Sequence, residues 1–492
     1  MSTTKSQPAR QLSHSYVAYT LPMEKVAILR LRDMLARQQG SLTRRVLHII
    51  FSIALRLFFR RIETAGAGLV PRAGPLIFVL NHPNGLIDPA LVFCSLPRRI
   101  SFLAKSTLFR LPVISFILRA AEALPLYRRI DQGEDRSLNR LTFAACHELL
   151  QRGGCIALFP EGVSHSETQL LPVKTGAARI ALGALAAFDD EPPDERLSSL
   201  RIVPVGLYYT SKTSFRSEAL LRFGELFAVQ PAPVDEFGEP LREDVQQLSM
   251  KIDAALRRVT LNVENTETLE TVAKAEQLFS SIYETINFRH TLAEEFNLRR
   301  RVAASLAQLA AAPSASLRAR IQQYEAELAG LGIKPENLSV LAHSRWFVFR
   351  HFLLKGGLLL LLSPLTLAGA IIHLPAYLLC VLFSRLFRRH GPDEIESTVK
   401  ILLAMLLMPL TWLILSGWLW WSWNWRVALV SLPIVIVCGY VALRSLEELS
   451  DMRGWLKAGL IFLQRQHSFL RLLLERRALH SEIKRYLDSA HR

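Results

Sequence analysis

A long stretch without charge near the C-terminus is the feature that most constrains the fold of this chain. Residues Ile401 to Trp425 include 25 positions without Lys, Arg, Asp or Glu. As a helix this stretch measures about 37 Å, more than the roughly 30 Å hydrocarbon layer of a bilayer, so it predicts a transmembrane helix. A second charge-free run, Val427 to Leu443, follows a tryptophan-rich turn and predicts the returning helix of a membrane hairpin.

An earlier apolar run, Gly356 to Phe383, is interrupted by Pro364 and Pro375 and contains His373. It predicts either a kinked span or a re-entrant segment. Basic residues flank the hairpin on both sides: Arg385, Arg388, Arg389 and Lys400 before it, and Arg444, Arg453 and Lys457 after it. The positive-inside rule then places both flanks in the cytoplasm, so the first run must enter and leave on that side. We expect an integral membrane protein with its globular domain on the cytoplasmic face.

Composition narrows the function classes. Half of the 492 residues are hydrophobic and only 21% are charged, which excludes a disordered chain. The net charge of +16 suits an anionic membrane lipid surface, a phosphorylated substrate or nucleic acid, but no nucleic-acid-binding motif accompanies it. The five cysteines form no C-x-x-C pair, so they indicate neither a disulfide framework nor a zinc ribbon.

Between the N-terminus and the membrane region, short apolar runs alternate with helical stretches. The runs 75–80, 99–104, 155–160 and 201–209 are separated in part by helical patterns at 136–152 and 175–188. Such alternation predicts an α/β domain in which a sheet is flanked by helices.

The whole chain divides into six predicted segments: a polar N-terminal segment without a secretory signal (1–43), an interfacial helix (44–65), the α/β domain (66–263), a helical hairpin (264–345), a membrane region (346–448) and an amphipathic helical tail (449–492). Two of these interpretations have alternatives. The Arg-flanked helix could instead dock on the α/β domain, and the tail could lie on lipid or pack on protein. The hairpin is predicted to break at residues 312–316, which include Pro313.

A histidine and an aspartate follow the first predicted strand of the α/β domain. Five residues separate His82 from Asp88, and on a continuous helix the two would point roughly 120° apart. Pro83 and Gly85 favour a turn that brings them together. His82 would then act as a general base and Asp88 would orient its ring. Alternatively, Asp88 caps a helix beginning at Pro89 and His82 is an ordinary loop residue; the cap and the paired role are compatible.

Further polar residues lie near other predicted strand ends. Glu161 could accept a hydrogen bond from a polyol hydroxyl at a pocket rim, and Gly162 would allow close backbone approach; a solvated turn acid is the alternative. Arg128 and Lys174 lie where they could hold a phosphate, although each could also be a surface cation. The segment after Glu161 lacks the final Gly of a nucleophile elbow, and no metal-ligand spacing is present.

Taken in order, NHPNGLIDP, ALPLYRR, FPEGVSHSE with LLPVKTGAA, and IVPVGLYY resemble the four motif blocks of the glycerolipid acyltransferase family. The resemblance covers roughly residues 66–224 and implies an acyltransferase-like sheet. It also implies that His82 and Asp88 are catalytic and that Arg128, Glu161, Gly162 and Lys174 bind the substrate. The co-substrate would be acyl-CoA or an acyl-carrier protein, with no metal or other cofactor.

Three features depart from the common family pattern. Five rather than four residues separate the His and Asp, Glu122 stands where a Gly opens the second block, and Val163-Ser164 replaces Thr-Arg. The longer spacing, the Ser164-His165 pair and the Leu-Pro-x-Lys sequence resemble the fungal glycerol-3-phosphate and dihydroxyacetone-phosphate acyltransferase branch. We therefore expect acylation of glycerol 3-phosphate or dihydroxyacetone phosphate. The alternatives are a lysophosphatidate acceptor, thioester hydrolysis and a non-catalytic membrane lipid-binding scaffold.

Overall fold

The structure, a computed structural model, describes most of the chain after its first forty residues. The described residues are 41–96, 98–128, 136–186, 200–236, 238–264, 266–283, 291–308, 311–333, 335, 338, 345–388, 394–464 and 466–489. The predicted polar segment 1–43 therefore lies almost entirely outside the described residues, as does Arg389 of the predicted basic flank.

An eight-stranded sheet forms the centre of the first domain. Its strands are β1 (Arg61–Ala65), β2 (Leu76–Leu80), β3 (Ser101–Lys105), β4 (Leu124–Leu126), β5 (Cys155–Leu158), β6 (Arg201–Tyr209), β7 (Glu218–Phe223) and β8 (Phe227–Ala228). The order is β1-β7-β6-β2-β5-β3-β4, with β8 paired to β6. All pairs are parallel except β6 with β7 and β6 with β8. The carboxyl ends of β2, β5 and β6 therefore meet at one edge of the sheet.

Helices cover both faces of this sheet, as expected for parallel strands. They are α1 (Leu42–Phe58), α2 (Ile87–Ser95), α3 (Pro112–Ala120), α4 (Asn139–Gln151), α5 (Gly176–Ala186) and α6 (Arg242–Val259). One core lies between the sheet and α1 to α3, and a second between the sheet and α4 to α6. The predicted α/β fold is confirmed, including the strands at β2, β3, β5 and β6.

The predicted interfacial helix differs from α1 in both extent and contacts. The helix ends at Phe58, and residues 61–65 form β1 instead, so the expected boundary at residue 65 is wrong. One side of α1 is buried on the domain, where the Arg44 guanidinium donates to the carbonyls of Ala121 (2.7 Å) and Ile100 (3.1 Å). The other side leaves Ile50 and Ile53 exposed. The helix thus docks on the domain and also presents an apolar face.

A helical bundle follows the sheet domain. Residues 264–345 form three helices, α7 (Thr266–Tyr283), α8 (Leu292–Gln308) and α9 (Ala311–Leu331), rather than the predicted hairpin, and residues 312–316 lie within α9. The last helix of the chain, α13 (Gln466–Ser489), packs into the same core. The amphipathic tail therefore packs on protein, which was one of its two predicted alternatives.

Three long apolar helices lie between the bundle and its last helix. They are α10 (Arg345–Arg388), α11 (Glu394–Ser422) and α12 (Trp425–Gln464), and each contains a segment long and apolar enough to cross a membrane. The turn between α11 and α12 includes Asn424, whose side chain caps α12 by accepting from the amide of Val427 at 3.0 Å. The structure thus contains both helices of the predicted membrane hairpin. However, α12 continues well past residue 448, the expected end of the membrane region.

Candidate active site

His82 and Asp88 meet across the loop between β2 and α2. The Nδ1 atom of His82 lies 2.8 Å from Oδ2 of Asp88. The loop turns at Gly85, which has φ +32°, and α2 then begins at Ile87, so Asp88 lies in its first turn. The carboxylate is fully buried, whereas 18% of the His82 side chain is exposed. The helix starts two residues before Pro89, and its N-cap residue is Leu86, so the alternative in which Asp88 serves as the cap is wrong.

Two further groups of the protein donate to the Asp88 carboxylate. The Tyr209 hydroxyl donates to Oδ1 at 2.5 Å, and the backbone amide of Asn84 donates to Oδ2 at 2.7 Å. Complete burial and the neighbouring Asp88 raise the pKa of Tyr209 well above its ordinary value, so this phenol remains a donor at physiological pH. With a buried acceptor facing Nδ1, the imidazole carries its proton there and presents a lone pair at Nε2.

The ring of His82 stacks on the ring of Phe159, with 4.1 Å between centroids and 16° between planes. Stacking and the bond to Asp88 together fix the orientation of the imidazole. Within the described part of the chain, no group hydrogen-bonds Nε2. A partly exposed imidazole with one nitrogen held by a carboxylate and the other available is the arrangement of a general base.

Glu161 connects the β2–α2 loop to the loop that follows β5. Its Oε1 accepts from the backbone amide of His82 at 2.9 Å, and its Oε2 accepts from the amide of Leu171 at 2.8 Å and from the ring of His165. The side chain is fully buried. Sequence reasoning expected this carboxylate at a pocket rim; the structure places it beneath the site, with protein donors on both oxygens.

His165 forms the second contact between a histidine and a carboxylate at this edge of the sheet. Its Nε2 pairs with Glu161, its Nδ1 accepts from the amide of Glu167 at 3.2 Å, and its own amide donates to the carbonyl of His82 at 3.1 Å. Both ring nitrogens are therefore engaged. This imidazole braces its own loop and has no free lone pair for proton transfer, while the backbone amide of His165 joins that loop to the loop of His82.

The other three predicted substrate-binding residues meet at the β5–α5 loop. The guanidinium of Arg128 donates to the carbonyl of Gly162. Gly162 has φ +74°, and a Cβ atom placed there would lie only 2.5 Å from Nζ of Lys174. Close approach and a left-handed backbone both require glycine at this position. Two cations thus converge on a loop that Glu161 joins to the loop of His82.

Sequence reasoning did not identify Tyr209 or Lys212 as parts of this site. Tyr209 ends β6, the strand beside β2, so knowledge of the strand order would have placed it near Asp88. Lys212 follows β6 and donates from Nζ to the carbonyl of His165 at 3.2 Å. Arg129, which follows Arg128 in the second block, lies outside the described residues. Among the described residues, no cluster of His, Cys, Asp or Glu is placed to hold a metal ion.

A small apolar cleft adjoins the loop of the histidine and aspartate. It lies between α1, α2 and α11 and is lined by Phe51, Leu55, Leu86, Ile87, Ala90, Thr398, Ile401 and Leu402. Leu86 and Ile87 belong to the chain segment between His82 and Asp88. The amide of Leu86 also donates to Oγ1 of Thr398 at 3.2 Å, so the loop is bonded to the first turns of a membrane helix.

Comparisons with known proteins agree with this geometry. The Acyltransferase family model matches residues 61–208, which contain the first six strands apart from Tyr209, and the paired histidine and aspartate. The model of the glycerol-3-phosphate acyltransferase 2 C-terminal domain matches residues 276–491, which contain most of the bundle and the membrane helices. Over these two ranges the chain is similar to the glycerolipid acyltransferase family. Its features resemble the fungal glycerol-3-phosphate acyltransferase branch, as the sequence predicts.

Individual relatives are similar to parts of the chain. Glycerol-3-phosphate O-acyltransferase 2 of Saccharomyces cerevisiae is 28% identical over 56% of this chain and 38% of its own length. Glycerol-3-phosphate O-acyltransferase 1 of the same yeast is 27% identical over 50% of this chain and 44% of its own length. A chloroplastic 1-acyl-sn-glycerol-3-phosphate acyltransferase of Brassica napus is 27% identical over 32% and 41%, respectively. The chain thus spans less than half the length of these curated relatives.

Proposed function

We propose that the protein transfers an acyl group from acyl-CoA or an acyl-carrier protein to a hydroxyl of glycerol 3-phosphate or dihydroxyacetone phosphate. The observation that carries this proposal is the paired histidine and aspartate: Nδ1 of His82 lies 2.8 Å from a buried carboxylate while Nε2 remains available. The match to the Acyltransferase family model and the similarity to the yeast relatives support the same reaction class.

In the proposed reaction, Nε2 of His82 removes the proton of the acceptor hydroxyl as its oxygen attacks the thioester carbonyl. A C–O bond forms and the C–S bond then breaks, so the acyl group becomes an ester and the thiolate leaves. The proton passes from the imidazolium to the thiolate, which restores the neutral base. Asp88 stabilises the transient imidazolium. A thiol has a pKa of about 8.5, so its departure needs little acid assistance.

The phosphate of the acceptor is proposed to bind at the β5–α5 loop. Arg128 and Lys174 supply positive charge around Gly162, where the absence of a side chain leaves room for the Lys174 ammonium group. Glu161 contributes by holding the amide of His82 and the ring of His165, since its own oxygens already have protein donors. This arrangement would fix the distance between the bound phosphate and the base.

The face of the membrane next to the catalytic domain is proposed to be the cytoplasmic one. Lys400 at the start of α11 donates to the carbonyl of Thr213, and Glu447 in α12 pairs with Arg216, so these parts of the membrane helices adjoin the catalytic domain. Arg385, Lys400 and Arg444 lie in those parts of the helices, whereas the opposite turn carries Arg426. The positive-inside rule favours the cytoplasm for the more basic side.

A lysophosphatidate acceptor is the second candidate. The small cleft between α1, α2 and α11 adjoins the paired histidine and aspartate and could contact part of the acyl chain of a lysophospholipid. The Brassica relative, named as a 1-acyl-sn-glycerol-3-phosphate acyltransferase, also points to this acceptor. The same cleft could instead receive the chain of the acyl donor, which would suit glycerol 3-phosphate.

The decisive experiment follows a labelled acyl group in membranes that contain the full-length protein. Labelled acyl-CoA or acyl-carrier protein is supplied with glycerol 3-phosphate, dihydroxyacetone phosphate or lysophosphatidate, each in a separate reaction. We expect label in the lysophospholipid formed from one of the first two acceptors, and little in the His82→Gln variant. Label in phosphatidate alone would identify the second candidate. Release only as free fatty acid would indicate a thioesterase, and no turnover with any acceptor would favour a scaffold.

A further inference from the structure

The helices on either side of the membrane region belong to one core. Val272 of α7, Leu317 of α9 and Leu472 of α13 are buried together, and Arg320 of α9 pairs with Glu475 of α13 at 2.7 Å. The chain therefore leaves for the membrane and returns on the same face of it. An even number of crossings must lie between α9 and α13, yet three helices have the length and hydropathy to cross.

The start of α11 lies on this same face. Oγ1 of Thr398 accepts from the amide of Leu86, and Nζ of Lys400 donates to the carbonyl of Thr213 at 2.8 Å. The catalytic domain that supplies these contacts is joined to the bundle, where Glu63 of β1 accepts from the amide of Leu292 at 2.8 Å. Both ends of α10 consequently lie on the catalytic side of the membrane.

The first half of α10 runs antiparallel to α12. Lys355 pairs with Glu448, the rings of His351 and Trp455 lie 5.5 Å apart, and Gly369 packs against Cys438. A Cβ atom at Gly369 would clash with the Cys438 carbonyl oxygen, so the two helices touch there. Successive contacts involve later residues of α10 and earlier residues of α12. Because the earlier residues of α12 lie deeper in the membrane, α10 enters the membrane from the catalytic face.

The second half of α10 must turn back. Glu447 pairs with Arg216 of the catalytic domain and so marks the catalytic face along α12. Cys438 is nine residues before Glu447, so Cys438 and the adjoining Gly369 lie about 13 Å from that face. If α10 continued straight beyond Gly369, Arg388 would lie about 28 Å farther from the catalytic face. The six residues from Arg388 to Glu394 span about 21 Å at most, which is too short to return from there to the start of α11 at the catalytic face. Tyr377 also returns to this domain, with its ring 6.5 Å from that of Phe215.

Two prolines and one histidine account for a bend at this depth. Pro364 leaves the carbonyl of Leu360 without its helical partner, and the Ser363 hydroxyl donates to that carbonyl at 2.8 Å. Nδ1 of His373 donates to the carbonyl of Gly369 at 2.8 Å, and Nε2 accepts from Nε1 of Trp412 at 2.8 Å. The bend thus supplies polar partners from within the protein, which a non-spanning segment needs in hydrocarbon.

We propose that α10 is a re-entrant helix that enters and leaves the membrane at the catalytic face, while α11 and α12 are the two helices that cross. The exposed apolar side chains of α10, including Leu360, Leu361 and Ile371, then contact the acyl chains of lipid from the side on which the active site lies. Two crossings satisfy the requirement for an even number.

Trypsin digestion of sealed vesicles tests the proposal on the unaltered chain. Arg385 and Arg388 lie in the last turn of α10, Arg426 lies in the first turn of α12 at the opposite side, and cleavage at Arg453 reports access to the catalytic face. We expect Arg385 or Arg388 to be cut from the side that cuts Arg453, and Arg426 to be cut only from the other side. Peptides are identified by mass spectrometry before and after detergent.

Cleavage of Arg388 from the same side as Arg426 would overturn the proposal, because α10 would then cross. Because Arg385 and Arg388 are helical, detergent-solubilised protein can resist cleavage at both. In that case a recognition sequence for a site-specific protease is inserted between Arg388 and Glu394, and its cleavage is measured from each side of the membrane. Acyl transfer by the inserted variant verifies its fold. Protection is independent of turnover, so it tests the topology even if the proposed function is wrong.

Discussion

Two histidine–carboxylate pairs lie side by side at the end of the sheet, and they differ in what their rings leave free. His82 bonds Asp88 through Nδ1 and keeps Nε2 available, whereas His165 uses one nitrogen for Glu161 and the other for the amide of Glu167. Both carboxylates are fully buried. The contact itself therefore does not distinguish a base from a structural link; the free second nitrogen does.

Replacing each histidine by glutamine should separate the two pairs most strongly. We expect His82→Gln to lower kcat about 10³-fold, because general-base catalysis typically contributes between about 10² and 10⁴. His165→Gln should lose less than about tenfold, since it alters only ring hydrogen bonds within the β5–α5 loop and keeps the backbone bond to His82. Initial rates at saturating donor and acceptor measure both. Equal losses in the two variants would show that the pairs do not differ in role.

Conversion of the two carboxylates into amides should affect different quantities, mainly kcat at Asp88 and mainly stability at Glu161. At Asp88 one oxygen faces the Tyr209 hydroxyl, which can rotate and accept from an amide, so Asp88→Asn should lower kcat about 10²-fold with a modest loss of stability. At Glu161 each oxygen faces a backbone amide that cannot adapt, so Glu161→Gln should destabilise the fold by about 1–3 kcal/mol.

Rates together with thermal unfolding of the purified protein give both quantities for each variant. A larger rate loss in Glu161→Gln than in Asp88→Asn would contradict the assignment of the base to the first pair.

Tyr209→Phe should change the pH dependence of the reaction. Without the hydroxyl, more negative charge remains on the Asp88 carboxylate and favours the imidazolium form of His82, so the acid limb of the kcat/KM profile should move to higher pH. The rate at neutral pH should fall by less than about tenfold. Because burial keeps the pKa of Tyr209 well above its ordinary value, the phenol itself does not titrate in this range.

Tyr208→Phe is the matched control for this pH shift. Tyr208 is the preceding residue of β6, burial raises its pKa to about 12, and its hydroxyl accepts from Arg299 rather than contacting Asp88. Loss of that hydroxyl should reduce stability and leave the acid limb in place. A shift of the same size in both variants would assign the effect to general loosening of the strand.

Gly162→Ala should have the smallest effect, confined to acceptor binding. The added methyl group would meet Nζ of Lys174 and displace it, so we expect a rise of a few-fold in KM for the phosphorylated acceptor with little change in kcat. Gly238→Ala is the control, because Gly238 has φ +75° but no atom lies within 4 Å of the position that an added methyl group would take. A similar KM change in both would mean that backbone strain alone is responsible.

Much of the catalytic loop could be predicted because its signals are local. The apolar run 75–80, the turn residues after it and the short separation of His82 from Asp88 all lie within fifteen positions of the sequence. Local signals could not identify the residue that donates to Oδ1 of Asp88. Tyr209 is 121 residues away and becomes its neighbour only because β6 pairs with β2.

The regions that sequence reasoning described less well depend on packing between distant segments. Residues 61–65 form β1 because they pair with β7, far along the chain, and no local pattern in RIETA indicates this. The third helix of the bundle was missed because Pro313, interpreted as a break, lies in the first turn of α9, where proline is tolerated. Glu161 was expected at a pocket rim, because sequence alone does not show that the amide of His82, from another loop, meets it in the interior.

The hydrogen bond between Thr398 and Leu86 makes the lipid-embedded part of the chain a structural component of the reaction centre. A fragment ending before α10 would lose that bond, and with it the contact between Ser397 and the carbonyl of Lys212. It would also lose the wall that Ile401 and Leu402 give to the apolar cleft. Truncating the chain to obtain a soluble fragment would therefore alter the loop that carries the proposed base.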